Sequence, residues 1–322
     1  MKTREEFISY FENELSDLLQ PLEKVRMQGA RLVKYNILLF ISMIFVVLAM
    51  LMTDWLPIEQ VVIPIVVIVV AFLFAIGYVS YLLMKLSYKK RYKNELVRPI
   101  IHFVSPDLRY APKRFIPEGH FRMSRIFVER PNIYEGDDFV EGQIDQTAFH
   151  FSEVKAQVQR SNGKSTTTHN LFHGLFFIAE FNKEFEGSTV LLPNKIGRGW
   201  RFLKRVSGLN RKERYVELED ARFNKLFNCY SVDDIKARYI LSPALIERIV
   251  NFAQKYPKQA LYLSFVNSYL FVAIAYNKDL FEPSYFRSIL NIDQALQYFE
   301  DIQFVVGIVD DLNLNTRIWS KA

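Results

Sequence analysis

His150, Glu153, His169 and His173 fall within one short stretch of the chain. Imidazole nitrogen and carboxylate oxygen are ordinary ligands of divalent metals, and they are also the groups that move protons in catalysis. His169 and His173 stand four residues apart, a spacing that would put both rings on one face of a helix. The surrounding pattern, however, reads as a loop entering a strand. There, residues four apart share a face but sit about 13 Å from one another, so a shared ligand would need a bent loop. Two readings follow: a metal-binding or enzymatic site near His150, His169 and His173, or ordinary loop and surface histidines. The spacing favours the second, so no metal, cofactor or catalytic residue is expected.

Other chemistry is sparse. Asp233-Asp234 and Asp310-Asp311 are adjacent pairs. Neighbouring side chains diverge on either a helix or a strand, so such pairs do not converge on one substrate, and Asp233 suits a helix cap. Gly163-Lys164-Ser165 matches the end of a phosphate loop, but the first glycine of that motif would fall on Val158. No nucleophile elbow, zinc-protease motif or kinase signature is present. Cys229 is the single cysteine. It excludes an internal disulfide and a multi-cysteine zinc site, and it reads as a small buried strand residue.

The strongest functional signal is residues 194–214. Lys195, Arg198, Arg201, Lys204, Arg205, Arg211, Lys212 and Arg214 stand there against the single acid Glu213, with Trp200, Leu203 and Val206 interleaved. As a helix, this run would lay Ile196, Trp200, Leu203 and Val206 along one side. That is the pattern of a helix resting on an anionic membrane surface, or of a core helix with a solvated basic face. Lys195, Arg198, Trp200, Arg201, Lys204 and Arg205 are the expected membrane-surface or partner-binding residues. The net charge of +6 agrees with an acidic partner or anionic lipid. No nucleic-acid motif accompanies it, and nucleic acid is not an expected partner.

The elements around these residues begin with a membrane anchor. Residues 35–53 and 61–84 carry no charge. Each run passes the roughly 18-residue threshold for a spanning helix. The link between them, residues 54–60, has Asp54 and Glu59 and no base, while Lys24, Arg26, Arg31 and Lys34 precede the hairpin and Lys85, Lys89, Lys90, Arg91 and Lys93 follow it. The positive-inside rule then puts both termini in the cytoplasm. The spans hold no charged residue, so they read as an anchor rather than a transport path.

Residues 1–34 read as an amphipathic cytoplasmic helix with Phe7, Phe11, Leu15, Leu18 and Leu22 as its stripe. Residues 85–120 read as a basic juxtamembrane helix and a proline-marked connector. Residues 121–322 read as a cytoplasmic α+β domain with a mixed, largely antiparallel sheet and packed helices, either pleckstrin-homology-like or divided into two lobes near residue 210. Expected strands are 139–144, 147–154, 171–181, 189–192, 223–230, 261–266 and 269–274, the last two around an Asn267-Ser268 turn. Residues 161–170 read as a loop. Ser242-Pro243 starts a helix, and a closing helix from Asp293 carries Leu296, Phe299, Ile302, Val306 and Val309 on one side.

Residues 137–154, 171–193, 226–249, 261–283 and 310–319, DDFVEGQIDQTAFHFSEV in the first and DDLNLNTRIW in the last, resemble the bacterial membrane-protein family known as domain of unknown function 3137. The resemblance implies a bacterial source and an inner-membrane address, and it makes a LemA-type membrane protein a candidate partner. It brings no activity and no catalytic residues. The sequence therefore points to a membrane-anchored, non-enzymatic binding or scaffold protein whose cytoplasmic domain contacts anionic lipid or a membrane protein partner. A tethered enzyme or metal protein is the alternative.

Overall fold

A computed structural model describes residues 2–52, 59–163, 165–180, 186–194, 213–255, 257, 260–276 and 279–314. The chain divides into two compact units: Met1–Phe103 with Phe281–Phe299, and Val104–Leu280 with Glu300–Ala322. The expected lobe boundary near residue 210 lies outside the described residues.

The first unit is helical. Helix α1, Arg4–Tyr10, opens on a capping box: Thr3 accepts from the Glu6 amide, and the Glu6 carboxylate accepts from the Thr3 amide at 2.7 Å. A π-helical turn, Phe11–Leu15, leads into α2, Ser16–Met52. This wider turn corrects the expected stripe. Phe7, Phe11, Leu15, Leu19 and Leu22 are buried, whereas Leu18 is 68% exposed. An i→i+5 turn holds more residues than an α turn, so successive fours stay in line and Leu18 rotates outward.

Helix α3, Glu59–Tyr92, continues through a π-helical turn, Lys93–Val97, into α4, Arg98–Val104. Within this rod, Ile65–Val104 is long and apolar enough to cross a membrane, the one such helix among the described residues, and its apolar stretch is not buried in protein. Helices α2 and α3 pack together, with Phe40 and Phe74 rings 5.9 Å apart. At the crossing of Gly77 and Asn36, a Cβ on the glycine would lie 2.5 Å from the asparagine oxygen.

Residues 281–299 return to this unit and lock onto its helices. Tyr285 stacks on Tyr88 at 4.9 Å and lies over Gly29, where an added Cβ would come within 2.2 Å of its ring. Glu23 accepts from Ser288 Oγ at 2.9 Å, from the Ile289 amide at 3.2 Å and from Arg26 at 2.8 Å, while Arg26 also donates to the Tyr285 carbonyl. Lys89 and the buried Lys93 pair with Glu282 at 2.6 and 3.1 Å. The ring of Phe299 stacks on Phe7 at 4.5 Å.

The second unit is α+β and includes a short helix, α5, Glu118–Met123. Its strands are β1 Arg109–Ala111, β2 Ile133–Ile144, β3 Thr147–Ser161, β4 Thr166–Glu180, β5 Ser188–Pro193, β6 Arg214–Val216, β7 Phe227–Ser231, β8 Ala260–Val266 and β9 Tyr269–Ala275. Among the described residues they form one nine-stranded sheet in the order β1-β2-β3-β4-β9-β8-β5-β7-β6, every pairing antiparallel. The expected mixed sheet is thus wholly antiparallel here. The β3–β4 hairpin is longer than expected, because its threonine-rich ends pair out to Ser161 with Thr166. Residues 223–230 divide. Asp220 accepts from the amides of Arg222 and Phe223 and starts a short helix, α6, Ala221–Leu226, before β7 begins.

Asp233 caps α7, Asp234–Ile240, and Pro243 opens α8, Pro243–Lys255. The closing helix α9, Ile292–Asp311, buries the expected stripe. One sheet face carries a core of Phe121, Phe127, Val154, Phe172, Phe176 and Phe271. Phe121 and Phe127 stack there at 5.0 Å.

Candidate functional site

The side chains that converge in the second unit are Glu153 on β3, His173 on β4 and Asp279 just beyond β9. His173 Nε2 lies 3.1 Å from Glu153 Oε1 and 3.0 Å from Asp279 Oδ1. The three ligand-capable atoms all lie within 4.8 Å of one another. Glu153 is buried, His173 half-buried and Asp279 64% exposed on its side chain, so the cluster opens outward past the aspartate.

Strand register explains why these residues meet. Glu153 pairs with Leu175 and Lys155 with His173, which places Glu153 and His173 on one sheet face. Between Ala156 and Gln157 the ladder slips: Phe172 faces Ala156 while Asn170 faces Gln157, leaving Leu171 as an extra residue. The bulge carries His169 to the face opposite His173, although regular strand spacing would align them. His169 pairs with Val158 and lies 3.9 Å from Glu129. His150 sits on that other face too, beside Phe139 and His120 rings at 5.7 and 6.1 Å. Of the three candidate histidines, only His173 therefore reaches Glu153.

Backbone hydrogen bonds hold the chain on either side of Asp279. The Tyr276 amide donates to the His173 carbonyl at 3.0 Å, and the Leu280 amide donates to Glu153 Oε2 at 2.8 Å. Gly174 permits this approach, since a Cβ there would stand 2.1 Å from the Ile274 carbonyl. Burial pushes the Glu153 carboxyl up to about 8 against the Leu280 hydrogen bond, and Asp137, Asp138 and Asp279 add repulsion in the same direction. The cluster can therefore share a proton or hold a cation. Asp279 is the member that sequence spacing missed. It is far from Glu153 in the chain, and no local motif signals the turn that returns it.

A separate open cleft of about 780 Å³ lies over the Asp107, Glu141, Asp145, His150 and Glu180 end of the sheet. Burial lowers the His150 imidazole below its usual range, with His120 adding repulsion. Cys229 is buried in β7, and desolvation pushes its thiol up to about 12, which keeps it a neutral packing residue. The expected surface-binding residues Lys195, Arg198, Trp200, Arg201, Lys204 and Arg205 lie outside the described residues.

Fold and site together define an α+β protein with a nine-stranded antiparallel sheet among its described residues and one helix able to cross a membrane. Residues 170–314 match the family described as Protein of unknown function (DUF3137). No curated protein matches the chain. A crystal structure, that of the mycobacterial trehalose monomycolate transport factor A, TtfA, aligns with 67% of this chain and 94% of its own at 13% identity and a TM-score of 0.33. A likeness at that level carries no argument about fold or role.

Proposed function

We propose that the protein is a membrane-anchored binding module that presents its sheet domain to anionic lipid and to a membrane protein partner on the cytoplasmic face. The observation that carries this reading is the exposed apolar stretch of the Ile65–Val104 helix. Large hydrophobic side chains open to water over such a length are far beyond the apolar patches that soluble monomers tolerate. Support for a two-helix anchor comes from α2, which packs on α3 and exposes Ile37, Leu38, Phe40, Ile44 and Phe45. Orientation rests on the basic flanks and the acidic link. The basic run at 195–205 supplies the lipid contact. A tethered cation gains about 1 kcal/mol near an anionic surface, so several together hold the domain down.

Two measurements test this reading with the full chain. Alkaline carbonate extraction should leave the protein in the membrane pellet; recovery in the supernatant would remove the anchor. Reconstitution into anionic and zwitterionic vesicles should then give slower tryptic cleavage at Arg201, Lys204 and Arg205 in the anionic ones, with the difference vanishing in high salt. Equal cleavage in both lipids would sink the surface contact while leaving the anchor standing.

A further inference from the structure

We propose that Glu153, His173 and Asp279 bind one first-row divalent metal ion, with Zn²⁺ the best match, and that this site is independent of the lipid contact. A single imidazole nitrogen faces two carboxylate oxygens at 3.0 and 3.1 Å. As an N–H it satisfies one of them, and as a bare nitrogen it satisfies neither. A cation between the three atoms satisfies all of them at once. Zinc bonds of about 2.0–2.2 Å in tetrahedral geometry separate neighbouring ligand atoms by about 3.3 Å. The two imidazole–carboxylate separations therefore need to open by only a few tenths of an ångström, and the largely exposed Asp279 side chain can supply that movement and bring its oxygen to its place beside Glu153, from which it lies within 4.8 Å.

The surroundings are those of a supported ligand set. Glu153 lies between paired strands on both sides, and its second oxygen is held by the Leu280 amide, so one oxygen remains for the ion. Such outer contacts orient ligands and commonly govern affinity. The register partner of Glu153 on β2 is Asp137, and Asp138 follows it, so the local field favours a cation. Lys155, opposite His173, is a basic group on the same face. One nitrogen with two carboxylates suits Zn²⁺, Fe²⁺ or Mn²⁺ better than Mg²⁺ or Ca²⁺, which prefer oxygen alone. Three protein ligands with an opening past Asp279 leave a fourth position for water or a substrate oxygen, the arrangement of reactive rather than purely structural zinc sites.

The test uses untagged full-length protein in detergent, stripped with chelator and titrated with Zn²⁺ against a chromogenic competitor, with Mg²⁺ in a parallel series. The expected result is one Zn²⁺ per chain, no competition from Mg²⁺, and binding weakened at least about tenfold in both His173→Gln and Asp279→Asn. His169→Gln, on the opposite face, should bind as the parent does. Asp279 is exposed, so its variant keeps the fold, and near-ultraviolet circular dichroism checks that. Absence of Zn²⁺ binding, or binding undiminished in both variants, overturns the site. Neither result bears on vesicle protection of the basic run.

Discussion

Glu23 shows how much one side chain can hold. It is a carboxylate with only 8% of its surface exposed, and its partners Arg26, Ser288 and Ile289 come from two distant stretches of the first unit. Burial alone would raise its pKa, but hydrogen bonds from Arg26, Ser288 and Ile289 outweigh that and hold it below the usual carboxylate range. A depressed folded value stabilises the protein above the unfolded value of about 4.5, and this contribution is lost as pH falls through the folded value. Acid should therefore loosen residues 281–299 before neutral-pH contacts elsewhere give way. Glu23→Ala should cost about 3 kcal/mol at pH 7 and flatten the acid limb, read as denaturation midpoint against pH in detergent. An unchanged acid limb would mean the carboxylate is not the controlling group. None of this is legible in the sequence: Glu23 is one of six acids that balance six bases in residues 1–34, and nothing local announces a partner more than 250 residues away.

At the level of elements, local signals served well where they were chemical and failed where the chain departs from ideal periodicity. The Asp233 cap, the Ser242-Pro243 helix start and the Asn267-Ser268 hairpin all stand as read, since each depends on side chains within a few residues. The π turn at Phe11–Leu15 and the Leu171 bulge each insert a residue that no residue type marks, and each moves a side chain to the other side of its element. The candidate site suffered most. His173 and Glu153 were both in view, yet their pairing without His169 depends on that bulge. The hairpin offers a test of turn chemistry. Asn267 and Ser268 adopt φ of 46° and 64°. Glycine belongs at the second position of such a turn, so Ser268→Gly should stabilise the second unit by about 1 kcal/mol, seen as a higher unfolding midpoint. A lower midpoint would show that the serine side chain contributes more than the strain costs.

Across the whole molecule, two compact units imply two cooperative blocks. Tyr285→Ala empties the space over Gly29 and beside Tyr88, and Phe252→Ala removes a ring stacked on Phe304 at 5.1 Å in the second unit. Each should cost about 3–5 kcal/mol, but in different blocks. Hydrogen exchange resolved by peptide should show the first variant loosening 16–52 and 281–299, and the second loosening 243–255 and 300–312. Uniform loosening in both would mean a single block. The first unit also has an unusual history. Residues 1–103 leave the ribosome long before 281–299, which supply its Glu282, Tyr285 and Phe299. During that interval Lys93 has no Glu282, and Tyr88 has no Tyr285 to stack on. The helices of the first unit must therefore persist as an unfinished bundle while the entire sheet is still being made. Residues 281–299, made after every strand of the sheet, decide whether the first unit becomes rigid.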